Sequence, residues 1–275
     1  MKTPISYYGG KQNLVKEILP LIPEHRIYIE PFFGGGAVFF AKKPSEIEVI
    51  NDINHHVINF YRVLQQDFDA LKAEIDCTLH SRELYARAVE IYNSAQFYKE
   101  VPRAWAFWVL SNMSFGNKIL GGWSFNRDNA NRHVGLTFSK KEVLTREFSN
   151  RFRQVFIECN DAKTTIKNFD DPEAFIYVDP PYVSSEQGHY AGYTAEDFKS
   201  LLDLLANAKG KFLLSSYPED ILIEYREKYG WHSQDIQQTV SVDGRRKERK
   251  TKIECLTMNY KPTGKTLSLF EDLAS

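Results

Sequence analysis

Five short apolar runs, at residues 27–30, 47–51, 155–158, 174–178 and 211–215, decide what this chain can fold into. Most are separated by helix-like stretches, and strands that alternate with helices form a mainly parallel sheet covered by those helices. The fold class is therefore α/β. About 100 residues between the second and third runs hold no convincing strand; helical-looking segments at 81–94 and 99–111 are followed there by a Gly/Asn-rich stretch. That interval predicts an inserted helical lobe. Further on, "QQTVSVDGRRKERKTKIECLTMNY" reads as two strands flanking a basic loop, a C-terminal β-hairpin at the sheet's edge. With 275 residues, 43% of them hydrophobic, the chain can bury a full core in one large domain plus a smaller lobe.

No apolar run approaches the roughly 20 residues of a membrane span. The opening "MKTPISYYGG" lacks a signal peptide's apolar region, so a cytoplasmic protein with no membrane partner is expected. Cys77, Cys159 and Cys255 are far apart and form no C-x-x-C pair, which argues against disulfide and zinc frameworks. His55 and His56 are adjacent at a helix start and have no ligand cluster around them, so no metal is expected. The net charge of −1 argues against a uniformly basic nucleic-acid binder, but it hides zoning. Residues 112–153 hold eight Lys/Arg against three Asp/Glu and residues 241–252 hold six against two, leaving about −10 on the rest. A basic groove on an acidic body would look like this; so would a solvated hairpin tip at "GRRKERKTK".

The first run leads into "RIYIEPFFGGGAVFF", where Glu30-Pro31-Phe32-Phe33 is followed by Gly34, Gly35 and Gly36. Consecutive glycines weaken regular structure and suit a sharp turn or a backbone lying close to a ligand. Phe39 stands where the dinucleotide fingerprint needs its third glycine, which demotes nicotinamide binding. Asp52 ends the second run, where an acid can accept hydrogen bonds from ribose hydroxyls or cap the following helix.

The stretch that carries chemistry is "AFIYVDPPYVSS", an apolar strand ending in Asp179-Pro180-Pro181-Tyr182. Two prolines remove backbone donors and fix the chain, leaving carbonyls and a carboxylate at the strand's C-terminal end. Such a site is built from acceptors. Asp179 and the Pro180 carbonyl can each take one hydrogen of an exocyclic amine, while Tyr182 offers a face on which a planar base stacks. An amine held this way keeps its lone pair out of the ring and can be aimed at a sulfonium methyl.

The order "YYGGK", "EPFFGGGAVFF", "NDIN", a lobe and then "DPPY" resembles the Dam-like family of adenine-N6 DNA methyltransferases, with the cofactor motif first and the catalytic motif last. The resemblance spans residues 5–260. It implies a Rossmann-like methyltransferase sheet, S-adenosylmethionine as methyl donor, and a target adenine rotated out of double-stranded DNA. Residues 1–65 and 151–262 then form the cofactor-binding catalytic domain, 66–150 the target-recognition lobe, and 263–275 a tail. The resemblance further implies that Tyr7, Lys11 and Asp52 bind the cofactor together with Asp179, and that Asp161 of "ECNDAKTTI" contacts its adenine. On the same resemblance, Gly34, Gly35 and Gly36 look like the turn over which its methionine part lies, with Pro31 and Phe33 shaping the wall. A bulky side chain at the glycines would fill the cofactor's place.

Extruding a base from its stack costs a few kcal/mol, so such an enzyme needs a strong grip on flanking phosphates. "SNMSFGNKILGGWSFNRDNANRH" supplies Phe115, Trp123 and Phe125 among Asn117, Lys118, Asn126, Arg127 and Arg132, the types that stack on bases, read edges or hold phosphates. Any one of the aromatics can instead pack beneath the loop. Arg245, Arg246, Lys247 and Arg249 of the basic loop are expected to hold phosphates. The expected function is site-specific methylation of adenine N6 by a monomer; the rivals are methylation of cytosine N4 or another amine, and a catalytically silent DNA-binding homologue. Thr266-Leu267-Ser268-Leu269-Phe270 resembles the peptide by which replication proteins dock on the sliding clamp, with Thr for the usual Gln. Its apolar side chains either bind that partner's groove or fold back on the chain's own core.

Overall fold

Strands stand at the five positions expected from sequence in the computed structural model, which describes residues 2–125, 130–183, 192–240 and 250–262. β1 (Ile27–Glu30), β2 (Ile47–Asn51), β3 (Val155–Glu158), β4 (Ala174–Val178) and β5 (Lys211–Ser216) pair in parallel. β6 (His232–Val240) and β7 (Lys250–Met258) make the hairpin, with β7 antiparallel to both β5 and β6. β6 starts well before the "QQTV" at which the sequence suggested it. The polar "HSQDI" lacks an apolar alternation because β6 is the sheet's outer strand.

The sheet order is β3-β2-β1-β4-β5-β7-β6. The chain builds outward from β1 to β3, then returns to lay β4 on the other side of β1. The neighbouring C-terminal ends of β1 and β4 therefore flank the switch point, where open α/β sheets bind ligands.

The helices are α1 (Val15–Ile18), α2 (Ala37–Ala41), α3 (His55–Gln66), α4 (Phe68–Cys77), α5 (Arg82–Asn93), α6 (Glu100–Met113), α7 (Ala130–Val143), α8 (Arg146–Arg151), α9 (Ala162–Phe169), α10 (Ala195–Ala206) and α11 (Asp220–Tyr229). Local chemistry sets several starts. Asn54 caps α3 by accepting from the His56 N–H, Asp161 caps α9, and Thr194 with Asp197 forms a reciprocal capping box on α10. α6 buries Ala104 through Ser111 without a polar stripe, because it packs against α3, α4 and α5.

Two cores lie on opposite faces of the sheet. One joins Tyr28, Phe175, Tyr177, Leu213, Leu256 and Met258 to α3, α5 and α6; the other joins Ile29, Ile176, Val178, Leu214 and Cys255 to α10 and α11. Side chains alternate between faces along a strand. Glu30, Asp179, Ser215 and Glu254 each lie two positions from a residue of the first core, so the pleat sets four polar groups on one face of four neighbouring strands. Asn126, Arg127, Arg245, Arg246, Lys247, Arg249 and the segment 266–270 lie outside the described residues, as does the side chain of Arg132.

Candidate active site

At the switch point a cavity of about 390 Å³ brings Tyr7, Lys11, Phe33, Gly34, Gly35 and Gly36 together with Asp179, Pro180, Pro181 and Tyr182. Asn117 reaches its edge. A second cavity of about 330 Å³ shares Phe32 and Pro181 as walls and is lined by Pro31, Ile53, Asp161 and Tyr193. Most expected site residues thus fall around two adjoining spaces. Asp52 does not line either one. It is 1% exposed, and its two carboxylate oxygens accept the backbone N–H groups of Gly34 at 2.8 Å and Asn54 at 2.9 Å. It ties the glycine turn to the start of α3. Asp161 Oδ1 is likewise taken by the Lys163 N–H, at 2.8 Å.

Gly34, Gly35 and Gly36 line the cavity, and the chain's own packing requires them as well. A Cβ at Gly34 would come within 2.9 Å of the Tyr7 ring, one at Gly35 within 3.0 Å of the Tyr7 Cβ, and one at Gly36 within 2.5 Å of the Phe33 ring. The chain's own aromatic side chains fill that space. Gly36 also has φ +65°, a left-handed conformation that side chains resist. The Tyr61 hydroxyl donates to the Gly34 carbonyl at 3.1 Å, fixing the turn from below.

The chemistry concentrates where the four polar positions meet. The Lys11 ammonium lies 2.7 Å from Asp179 Oδ1 and 3.7 Å from Glu254 Oε1, and 4.8 Å from the centre of the Tyr182 ring. Burial pulls the Lys11 pKa down, but Asp179 and Glu254 more than offset this and the net shift is upward. Burial pushes the Asp179 carboxyl up to about 6, against the opposing pull of Lys11. At neutral pH Asp179 is an ionised acceptor. Glu30, 2% exposed, accepts the Tyr28 hydroxyl at 2.7 Å and lacks an ion-pair partner among the described residues; burial raises its pKa to about 8. Glu30, Tyr177, Ser215 and Glu254 are the groups that motif reading missed. Their signal is the two-residue alternation of strands that also carry apolar core residues.

Beside the cavity, the turn after α6 forms a small bridge between Ser114 and Trp123. Phe115, next to the bridge, is 71% exposed, whereas Trp123 stacks on Phe125 at 5.3 Å and beneath Arg82. Phe125 is itself exposed. Lys118 points its ammonium at the Tyr8 ring, 5.0 Å away. His56 stacks on Tyr92, and His55 lies 3.2 Å from the Cys159 sulfur.

An acceptor-lined cleft at the switch point of a parallel sheet suits group transfer to a planar amine. At family level that class is specific: the sequence model of the D12 class N6 adenine-specific DNA methyltransferases matches residues 7–242. The chain belongs to this family, and its activity is methylation of adenine at N6 in DNA. It is 29% identical over 273 residues to the Type II methyltransferase M1.LlaDCHI of Lactococcus lactis subsp. cremoris, covering 92% of this chain and 93% of that one. It is 26% identical over 220 residues to the Type II methyltransferase M.MjaIII of Methanocaldococcus jannaschii, covering 72% and 75%. With the DNA adenine methylase of Escherichia coli K12 the identity is 22% over 277 residues, covering 94% and 95%.

Proposed function

We propose that the chain transfers the methyl group of S-adenosylmethionine to an adenine rotated out of duplex DNA, at the cavity between the ends of β1 and β4. The observation that carries this reading is a charged acceptor on a turn without donors: Asp179, held by Lys11, followed by two prolines and a tyrosine on the cavity wall. Methyltransferases of this fold generally use S-adenosylmethionine. The lining suits a sulfonium at one point, because the Asp179 carboxylate shares the wall with the aromatic rings of Tyr7, Phe33 and Tyr182. Tyr177 completes this wall, its buried hydroxyl directed toward Ser215. When bound, the cofactor supplies an electrophilic methyl on a sulfonium.

Asp179 accepts one hydrogen of the adenine amine and the Pro180 carbonyl the other, so the nitrogen lone pair stays directed out of the ring. Tyr182 stacks on the base. The amine gains a methyl group and must shed one proton, for which the Asp179 carboxylate is the acceptor beside it. Asp52 acts on the cofactor through the glycine turn, while Asp161 and Ile53 flank the second cavity, which suits its adenosine part. Residues 66–150 form the target-recognition lobe, with Phe115, Asn117 and Lys118 meeting bases, and the basic composition around 245–249 supports phosphate contacts.

Long-read sequencing of DNA from a methylase-free host that expresses the protein tests this reading, since it reports the modified base and its context together. N6-methyladenine at one recurring sequence is the expected result. N4-methylcytosine, or no modified base, would overturn it.

A further inference from the structure

Glu254 sits where β7 should be apolar. Its neighbours on the same face, Leu256 and Met258, enter the core beneath the lobe, yet Glu254 is only 5% exposed. A buried carboxylate is costly unless it is paired and hydrogen-bonded. Glu254 has such partners: its Oε1 accepts the Tyr182 hydroxyl in a very short contact and the Ser215 hydroxyl at 2.5 Å, and Lys11 lies 3.7 Å away. All three belong to, or touch, the group that meets the substrate.

Tyr182 needs such an anchor. It lies beyond the end of β4, outside any ladder, and Pro180 and Pro181 have no N–H with which to tie the turn to the sheet. Its ring is met edge-on by Tyr217 at 4.4 Å, and Lys252, two positions from Glu254 on β7, donates to the Tyr217 hydroxyl at 3.0 Å. The ring is therefore held at its hydroxyl end by Glu254, by Ser215 and Asp179 at 3.2 Å each, and on its flank by Tyr217. The shortest of these contacts comes from β7, a strand outside the motif.

We infer that Glu254 is a positioning residue for methyl transfer: through the Tyr182 hydroxyl it fixes the ring against which the target base stacks. The inference rests on the methyltransferase reading above. A floating ring would still allow the base to enter but would spread it over non-productive orientations, so the loss falls on kcat.

The test is a double-mutant cycle on tritiated methyl transfer to unmodified DNA, with melting temperature measured alongside. Wild-type protein is assayed first; no transfer there would sink the functional reading and not this inference. Glu254→Leu should lower kcat roughly ten- to hundred-fold, as expected when a buried hydrogen-bonding group loses its partner. It should lower the melting temperature by only a few degrees, because Lys11 and the Tyr182 hydroxyl keep Asp179 as a partner. In the Tyr182→Phe background, which already lacks the hydroxyl, Glu254→Leu should change kcat by less than about threefold. Glu254→Gln keeps the shape and one acceptor and should show a smaller loss that also vanishes in Tyr182→Phe, which serves if the leucine variant does not fold. Unchanged kcat in both Glu254 variants, or an equal loss with and without the Tyr182 hydroxyl, would overturn the inference.

Discussion

The ends of β1 and β4 lie side by side at the same sheet edge, and each carries a carboxylate followed by proline. From there they diverge. After Glu30 the chain turns on three glycines, with the Gly34 N–H tied to Asp52 and Tyr7 and Phe33 packed against the turn. After Asp179 it runs through two prolines that offer carbonyls alone. The carboxylates differ in the same sense. Asp179 has an ammonium at 2.7 Å, whereas Glu30 has a neutral tyrosine hydroxyl, and burial drives their pKa values up to about 6 and about 8 respectively. One edge is thus divided between a protonated, packed support and a charged acceptor. Burial alone would make both neutral; the lysine decides which one is poised for chemistry.

The sharpest way to break this comparison is on the β4 side. Tyr182→Ala should reduce kcat by ~10²–10³-fold, about 3–4 kcal/mol in the barrier, because both the stacking face and the hydroxyl tether vanish. Steady-state kinetics on unmodified DNA would show it, and a loss under tenfold would remove Tyr182 from the account. On the β1 side the test is one of stability. Because the native pKa of Glu30 is raised from 4.5 to about 8, native protein binds an extra proton in that window. Its stabilising share is complete below 4.5 and is lost as pH rises toward 8. Glu30→Gln keeps a neutral side chain, so without cofactor the variant should melt with wild type near pH 5 and above it near pH 8. The expected difference is on the order of 3 kcal/mol or less, after relaxation around the charge. A pH-independent difference in scanning calorimetry would contradict the assignment. Smaller still, Gly36→Ala should cost about 2 kcal/mol, since it combines a left-handed φ with a clash against Phe33. Pro181→Ala, free of such a clash by removal of atoms, serves as its counterpart in the same melting experiment.

The two edges also differ in how far sequence reveals them. The five parallel strands are legible because apolar runs between helical stretches have few alternatives, and Asp179-Pro180-Pro181-Tyr182 is legible because its chemistry is local. Asp52 is ambiguous in sequence for a physical reason: a strand-end aspartate serves a ribose or a backbone N–H equally well in one dimension. Its partners at Gly34 and Asn54 emerge only when the turn folds back on it. Glu254 and Ser215 belong to the site solely through register, β7 lying beside β5 and β5 beside β4. No spacing along the chain announces that. Phe115 and Trp123 look alike in sequence, yet one is exposed and the other stacked, because the bridge at Ser114 turns them to different sides.

The central claim is that Asp179 is the charged acceptor and Glu30 its neutral support. Single-turnover methyl transfer with saturating cofactor, run in parallel on Asp179→Asn and Glu30→Gln, tests it most directly. The account predicts a loss of more than ~10³-fold for Asp179→Asn, where a charge facing the reacting amine is gone, and less than about tenfold for Glu30→Gln. Equal losses, or the larger loss at Glu30, would contradict it.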